Sequence, residues 1–312
     1  MADATAPRAR MAGTGPIAAL ALLSCLTFPV AATTAPACAA PPGSASGSAC
    51  VLYSEASEFN DRVYVVEFGS VESGGVETAV FRAMRFASID GRDQSRIRPG
   101  HPEELPMPYL RSAAVGLALP RALERLLVIG LGGGAFPRFV ESRFPDAEID
   151  AVEIDPVVAR IARDYFGVAE SDRLRIHVAD AVAYVKQRHA RYDYILLDAY
   201  GADDLPAALT SSIFLGRVRD QLRRGGVLAV NIAVRSDFQA RALIGKIRGY
   251  FPYCLHMQSL PSSNDVLLLS DTALPDRSEL LTRAARFDVG GDPGTRMQDH
   301  VAAAQDCPAP AR

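Results

Sequence analysis

Four short stretches carry residues able to do chemistry, and each begins where an apolar run stops. The first is Gly130-Leu131-Gly132-Gly133-Gly134, after Leu126 to Ile129 and before a helical pattern. A strand-to-helix turn takes glycine where φ is positive or where a ligand must approach the main chain, and its free amides can meet polar ligand atoms. Gly130, Gly132, Gly133 and Gly134 are therefore candidate cofactor residues. The second is Glu153, at the end of Ile149 to Glu153 and roughly 20 residues beyond the glycines, where a carboxylate accepts hydrogen bonds from both hydroxyls of a ribose. Asp155, just before Pro156, suits a helix N-terminus better than a ligand. The third is Asp180-Ala181, after Leu174 to Val178: Asp180 can accept the exocyclic amino group of adenine while the Ala181 amide meets a ring nitrogen, and its competing role is a plain N-cap. The fourth is Asp198, after Tyr194 to Leu197, at the edge of the expected crevice and the candidate catalytic base.

These positions converge only if one parallel sheet delivers them to one edge. From Leu126 onward the chain alternates continuous apolar runs with helical periodicity, the pattern of strands buried on both faces. The runs predict strands over 126–129, 149–153, 174–178, 194–197 and 227–232, helices over 136–144, 156–166, 181–188, 210–224 and 237–250, and a closing hairpin over 253–258 and 266–270. The fold class is α/β, a Rossmann-like, seven-stranded, doubly wound sheet with one antiparallel edge. Before it, runs at 51–55, 62–68, 78–81 and 85–89, separated by turn material, predict a small antiparallel β unit, and 106–119 a joining helix. The units are then residues 49–105 for the β part, 106–287 for the cofactor-binding domain with a last helix over 277–286, and 288–312 for a flexible tail.

The first 40 residues are of another kind. Arg8 and Arg10 precede an apolar run, Ile17 to Val30, that ends in small residues, and Leu22-Leu23-Ser24-Cys25 is an imperfect lipoprotein-like box. This is the pattern of an export signal or a membrane anchor, followed by a linker over 41–48. It predicts an exported or membrane-attached protein, with a cytoplasmic one as the alternative. Of five cysteines, Cys50, Cys254 and Cys307 lie outside that segment. An exported chain could pair two of them and leave one thiol free, a cytosolic chain would keep them reduced, and Cys254 reads as a buried strand residue. His101, His177, His189, His256 and His300 lack metal-ligand spacing, so no metal is expected. Arg217, Arg219, Arg223 and Arg224 read as a solvated helix face. A formal charge of -3 in 312 residues gives no field that would draw nucleic acid.

The four strand ends together resemble the class I S-adenosylmethionine-dependent transferases, and within them the spermidine synthase (polyamine aminopropyltransferase) family. Leu52-Tyr53-Ser54-Glu55 with Val63-Tyr64-Val65-Val66-Glu67 is similar to that family's opening hairpin, and Asp90-Gly91-Arg92-Asp93-Gln94-Ser95 to its aspartate, glycine and glutamine segment. The resemblance implies that Gln94 contacts the amino-acid-like end of the cofactor, S-adenosylmethionine or its decarboxylated form, that the acceptor is a small amine, and that the protein is a homodimer. The run from Val128 to Val185 is also similar to eukaryotic methyltransferase-like proteins that methylate other proteins.

The sequence departs from the family at three places. Ala135-Phe136-Pro137 stands where an acidic residue follows the glycines. Gly201 stands where a second aspartate follows Asp198, with Asp203 and Asp204 displaced from it. Tyr109-Leu110-Arg111-Ser112 replaces a tyrosine, glutamate and histidine segment, and Arg111 would repel a cationic amine. The resemblance thus implies aminopropyl transfer to an amine; methyl transfer to a small molecule or a protein is the alternative, and an exported ligand-binding protein without catalysis a third reading.

Overall fold

The computed structural model describes residues 49–71, 77–187, 190–200, 205–233, 237–259, 264–287 and 296–307. The export segment, the linker, His189, Gly201, Asp203 and Asp204 lie outside the described residues.

The chain opens with β1 (Cys50–Ser57), β2 (Asp61–Val71), β3 (Glu77–Phe86) and β4 (Asp93–Ile97), which pair antiparallel in sequence order. The two strands expected at 78–81 and 85–89 are one strand, β3: Arg82-Ala83-Met84 contains no turn residue, and the chain reverses only at Asp90-Gly91. The strand this frees, β4, carries Gln94.

Then follow α1 (Pro108–Val115), β5 (Arg125–Ile129), α2 (Ala135–Arg143), β6 (Glu148–Glu153), α3 (Pro156–Phe166), β7 (Leu174–Val178), α4 (Ala181–Lys186), β8 (Tyr192–Leu197), α5 (Ser212–Gln221), β9 (Leu222–Ile232), α6 (Asp237–Arg248), β10 (Tyr253–Ser259), β11 (Asn264–Ser270), α7 (Arg277–Ala284), α8 (Met297–Val301) and β12 (Ala304–Asp306). The large sheet has the order β12-β10-β11-β9-β8-β5-β6-β7. Its buried residues divide by the period of two that a strand imposes. Leu126, Val128, Ile149, Ala151, Tyr194 and Leu196 face one core, with α1, α2, α3, α7 and α8. Leu127, Ile129, Val152, Ile195 and Leu197 face the other, with α4, α5 and α6. The sheet is therefore doubly wound, as the sequence predicts.

Three details differ. The antiparallel strand is not at an edge: β11 lies between β9 and β10 and runs against both, since the chain crosses back before pairing. Helix α5 stops at Gln221 and the strand begins at Leu222, where the backbone becomes extended at φ -75° and ψ 142°. Arg223 is consequently in a strand, with its guanidinium 3.0 Å from Asp193 and 2.6 Å from Glu124, and not on a helix face. The tail is not wholly free. Met297 and Val301 of α8 are buried, β12 pairs with β10, and Cys307 is disulfide-bonded to Cys254 with Cα atoms 5.4 Å apart. Cys254 is buried in a strand as expected, but bridged. No helix among the described residues is long and apolar enough to cross a membrane.

The small sheet is fixed to the large domain through α3. Asp155 is fully buried; its Oδ1 caps the helix at Val157 N (2.8 Å), while its Oδ2 accepts from Asn60 Nδ2 (2.7 Å) and from the Ser57 hydroxyl. Tyr53 stacks on Tyr165 of the same helix, with ring centroids 4.9 Å apart.

Candidate active site

Strand order reverses at β5, which lies between β6 and β8, so the connections after β5 and β8 leave the sheet in opposite directions and open a crevice at their carboxyl ends. A cavity of about 570 Å³ occupies that crevice, and Gln94, Gly130, Gly132, Glu153, Asp180, Ala181 and Asp198 all line it. Gly133 and Gly134 are not among its lining residues. A Cβ on Gly133 would lie 2.6 Å from the Phe166 ring, and one on Gly134, at φ 68°, 2.3 Å from Val168. Both glycines let the loop pack against α3 and its C-terminal turn. Gly130 serves the site differently: at φ 94°, its missing Cβ is what lets the Asp198 carbonyl pass.

Glu153 is 8% exposed, and its carboxylate closes the glycine loop. Oε2 accepts the amides of Leu131 (2.9 Å) and Gly132 (3.4 Å), and Oε1 that of Asp155 (3.0 Å). Burial raises its pKa, while those amides pull it back. Asp180 is the N-cap the sequence allowed, its Oδ1 accepting the Ala183 amide of α4 at 2.7 Å, and it lines the cavity from an exposed position.

Asp198 sits in a polar relay within apolar walls. Asn231 Nδ2 donates to Oδ1 at 2.8 Å, Tyr109 Oη donates to Oδ2 at 3.0 Å, and Asn264 Nδ2 donates to Asn231 Oδ1 at 2.9 Å. The Tyr200 hydroxyl accepts the Ala233 amide at 2.8 Å and donates to the Asn231 carbonyl, fixing the end of β9. Burial pushes the Asp198 carboxyl up to about 6, against the two hydrogen bonds that favour its charge. Burial and the neighbouring Asp198 hold the Tyr109 phenol well above its ordinary value, so it stays a donor. Asp198 is thus a carboxylate at neutral pH with unusual basicity, suited to take a proton. Below pH about 6 it is protonated and cannot. The acid limb of the rate profile is expected at about pH 6 and absent from Asp198→Asn; a limb at pH 4 or below in the unmodified protein would contradict this assignment.

Arg111 does not threaten a cationic acceptor. Two residues along α1 turn a side chain about 200°, so with Tyr109 facing Asp198, Arg111 points away and donates to the Leu105 carbonyl at 3.0 Å. Ala135, Phe136 and Pro137 do line the cavity, so that wall is apolar. Asn231, Asn264 and Tyr200 were not singled out in the sequence. Asn231 had a signal, a lone amide in the apolar run Val227 to Ile232 that requires a buried partner.

An open α/β sheet with this order, a glycine turn after its first parallel strand and carboxylates on the next three strand ends defines the class I S-adenosylmethionine-type fold. Residues 113–237 match the model of the spermine/spermidine synthase domain. The polyamine aminopropyltransferase of Vibrio vulnificus is 32% identical over 212 residues, 65% of this chain and 70% of that protein. The chain belongs to the spermidine synthase family of transferases. Human methyltransferase-like protein 13, solved in complex with SAH, is 28% identical with a TM-score of 0.54 over 60% of this chain and 96% of that one. A spermidine synthase in complex with the transition-state analogue AdoDATO shares the fold at 19% identity, with a TM-score of 0.59 over 81% of this chain and 84% of that one.

Proposed function

We propose that the protein binds an adenosyl sulfonium, S-adenosylmethionine or its decarboxylated form, and transfers an alkyl group from it to an amine whose proton passes to Asp198. The observation that carries this is the relay around Asp198: a half-buried carboxylate of raised pKa, oriented by Tyr109 and Asn231, on the wall of the cavity that Glu153 and Asp180 also line. The residues fit the cofactor. The cavity has the size of a small-molecule site, and in this reading Glu153 takes the ribose hydroxyls and Asp180 with the Ala181 amide takes adenine. Gln94 reaches the same space from β4. When bound, the sulfonium supplies an electrophilic carbon and a neutral thioether leaving group. Asp198 receives the proton that the acceptor nitrogen loses as its lone pair forms the new bond, and the apolar walls keep water from competing.

Aminopropyl transfer is the reaction named for the Vibrio vulnificus relative, and methyl transfer accords with the SAH complex of the human one. The methyl reading is favoured by the apolar Ala135-Phe136-Pro137 wall, which offers no acid to an aminopropyl ammonium. The reading of an exported binder without turnover is favoured by the Cys254–Cys307 bridge, which an oxidising compartment maintains. Analysis of the nucleoside released during incubation with both cofactor forms and a panel of amines separates the three. S-adenosylhomocysteine reports methyl transfer, methylthioadenosine aminopropyl transfer, and binding with no acceptor-dependent product would contradict the proposed catalysis.

Glu153→Ala is expected to weaken nucleoside binding by about 1–3 kcal/mol, the range for a charge-assisted hydrogen bond. It should also lower the melting temperature, because the amides of Leu131, Gly132 and Asp155 lose their acceptor. Unchanged calorimetric affinity would exclude Glu153 as the ribose ligand.

A further inference from the structure

The two cofactor forms share the adenosyl sulfonium and differ by one group: the intact tail ends in an ammonium and a carboxylate, the decarboxylated tail in an ammonium alone. A protein tells them apart by the charge it sets where the tail ends. With ribose at Glu153 and the reacting carbon near Asp198, the tail lies against the glycine loop, and β4 covers that loop. Ser95 Cβ stands 3.4 Å from where a Cβ on Gly132 would be, and Ser95 Oγ 2.9 Å from one on Gly133. From the same segment Arg92 and Gln94, two residues apart, reach the cavity.

The charges of this wall do not balance. Asp93 also lines the cavity, but Arg85 Nε holds its Oδ1 at 2.7 Å and Arg96 Nε its Oδ2 at 2.7 Å. Arg92 forms no ion pair among the described residues. Of this wall Arg92 and Asp93 face the cavity; Asp93 is neutralised by Arg85 and Arg96, so the charge of Arg92 is not offset by it, and Ala135, Phe136 and Pro137 add no acid. A lone ammonium placed here meets net positive charge, whereas a carboxylate meets a guanidinium able to bind it in a fork.

We propose that Arg92 binds the carboxylate of an intact methionine tail, so that this protein takes S-adenosylmethionine in preference to the decarboxylated form. The proposal rests on the reading that the cavity holds an adenosyl sulfonium, and it turns that reading toward methyl transfer. Arg92 is exposed and packs into no core, so its replacement leaves the fold intact.

Calorimetric titration of the protein and of its Arg92→Ala and Arg92→Lys variants with S-adenosylmethionine, decarboxylated S-adenosylmethionine and methylthioadenosine tests it. The unmodified protein is expected to bind the intact form about tenfold or more tightly than the decarboxylated one. Arg92→Ala should lose about tenfold for the intact form, the scale of a charge-assisted contact. It should lose nothing for the other two ligands, and Arg92→Lys should fall between. Equal affinity of the unmodified protein for both forms, or a loss in Arg92→Ala that is the same for all three ligands, overturns the proposal. Methylthioadenosine has no amino-acid tail and keeps the two readings apart. Its binding without discrimination between the other two removes only the role of Arg92, while no binding of any ligand removes the adenosyl site as well.

Discussion

Replacing Asp198 with asparagine is expected to lower turnover by about 10²–10⁴-fold, the usual contribution of a positioned general base, with little change in nucleoside affinity. The substitution keeps the packing. Asn231 Nδ2 would donate to the amide oxygen as it now does to Oδ1, and the Tyr109 hydroxyl can rotate to accept from the new NH₂. A stability measurement gives an independent reading of the same residue. The carboxyl rises from 3.8 to about 6 on folding, so the folded state holds the proton more tightly than the unfolded chain. The stabilisation that protonated Asp198 provides is complete below pH 3.8 and gone above about 6. Ionised at neutral pH, it leaves a cost on the order of 3 kcal/mol that a neutral amide avoids. Asp198→Asn should therefore melt at a higher temperature than the unmodified protein at pH 7.5, with the advantage shrinking toward pH 4. A variant that loses turnover and stability together would show a structural carboxylate and not a base.

Gly130→Ala should be the most damaging single-atom addition to the fold. Its Cβ would lie 2.1 Å from the Asp198 carbonyl oxygen, 2.6 Å from the carbonyl carbon and 2.9 Å from Ala199 Cα, all main-chain atoms that cannot swing aside. Alanine is also strained at φ 94°. The ends of β5 and β8 would have to part, at a cost of about 4 kcal/mol or more, a large share of a domain's stability of roughly 5–15 kcal/mol. Gly132→Ala is the control. At φ 52° its nearest neighbour is Ser95 Cβ at 3.4 Å, so only the backbone term, about 1–2 kcal/mol, applies. Urea denaturation of both variants measures the difference. Equal midpoints would mean that the β5–β8 contact is not what demands glycine at position 130.

What was legible in the sequence follows from what one strand or one turn determines alone. Glu153, Asp180 and Asp198 could be placed on one edge because each ends an apolar run, and parallel strands bring their carboxyl ends together. Asp155 could be read as a cap because Pro156 follows it. Features that depend on a second element were harder to see. The partners of Asp198 come from α1 and β9, and Asn264, which supports Asn231, from β11, three elements distant in sequence. The direction of Arg111 depends on which side of α1 faces the sheet, which the hydrogen bond of Tyr109 to Asp198 settles. The glycines read as one loop in the sequence, although Gly133 and Gly134 pack against Phe166 and Val168 of the next crossover. Strand β12 is too short for any periodicity to reveal, and Cys307 was its only mark.

The crystal structure of the protein with S-adenosylhomocysteine tests the central claim most directly. The account predicts the ribose hydroxyls within hydrogen-bond distance of Glu153, adenine beside Asp180 and Ala181, and the sulfur turned toward Asp198. A nucleoside bound elsewhere, or none in this cavity at saturating concentration, would contradict it.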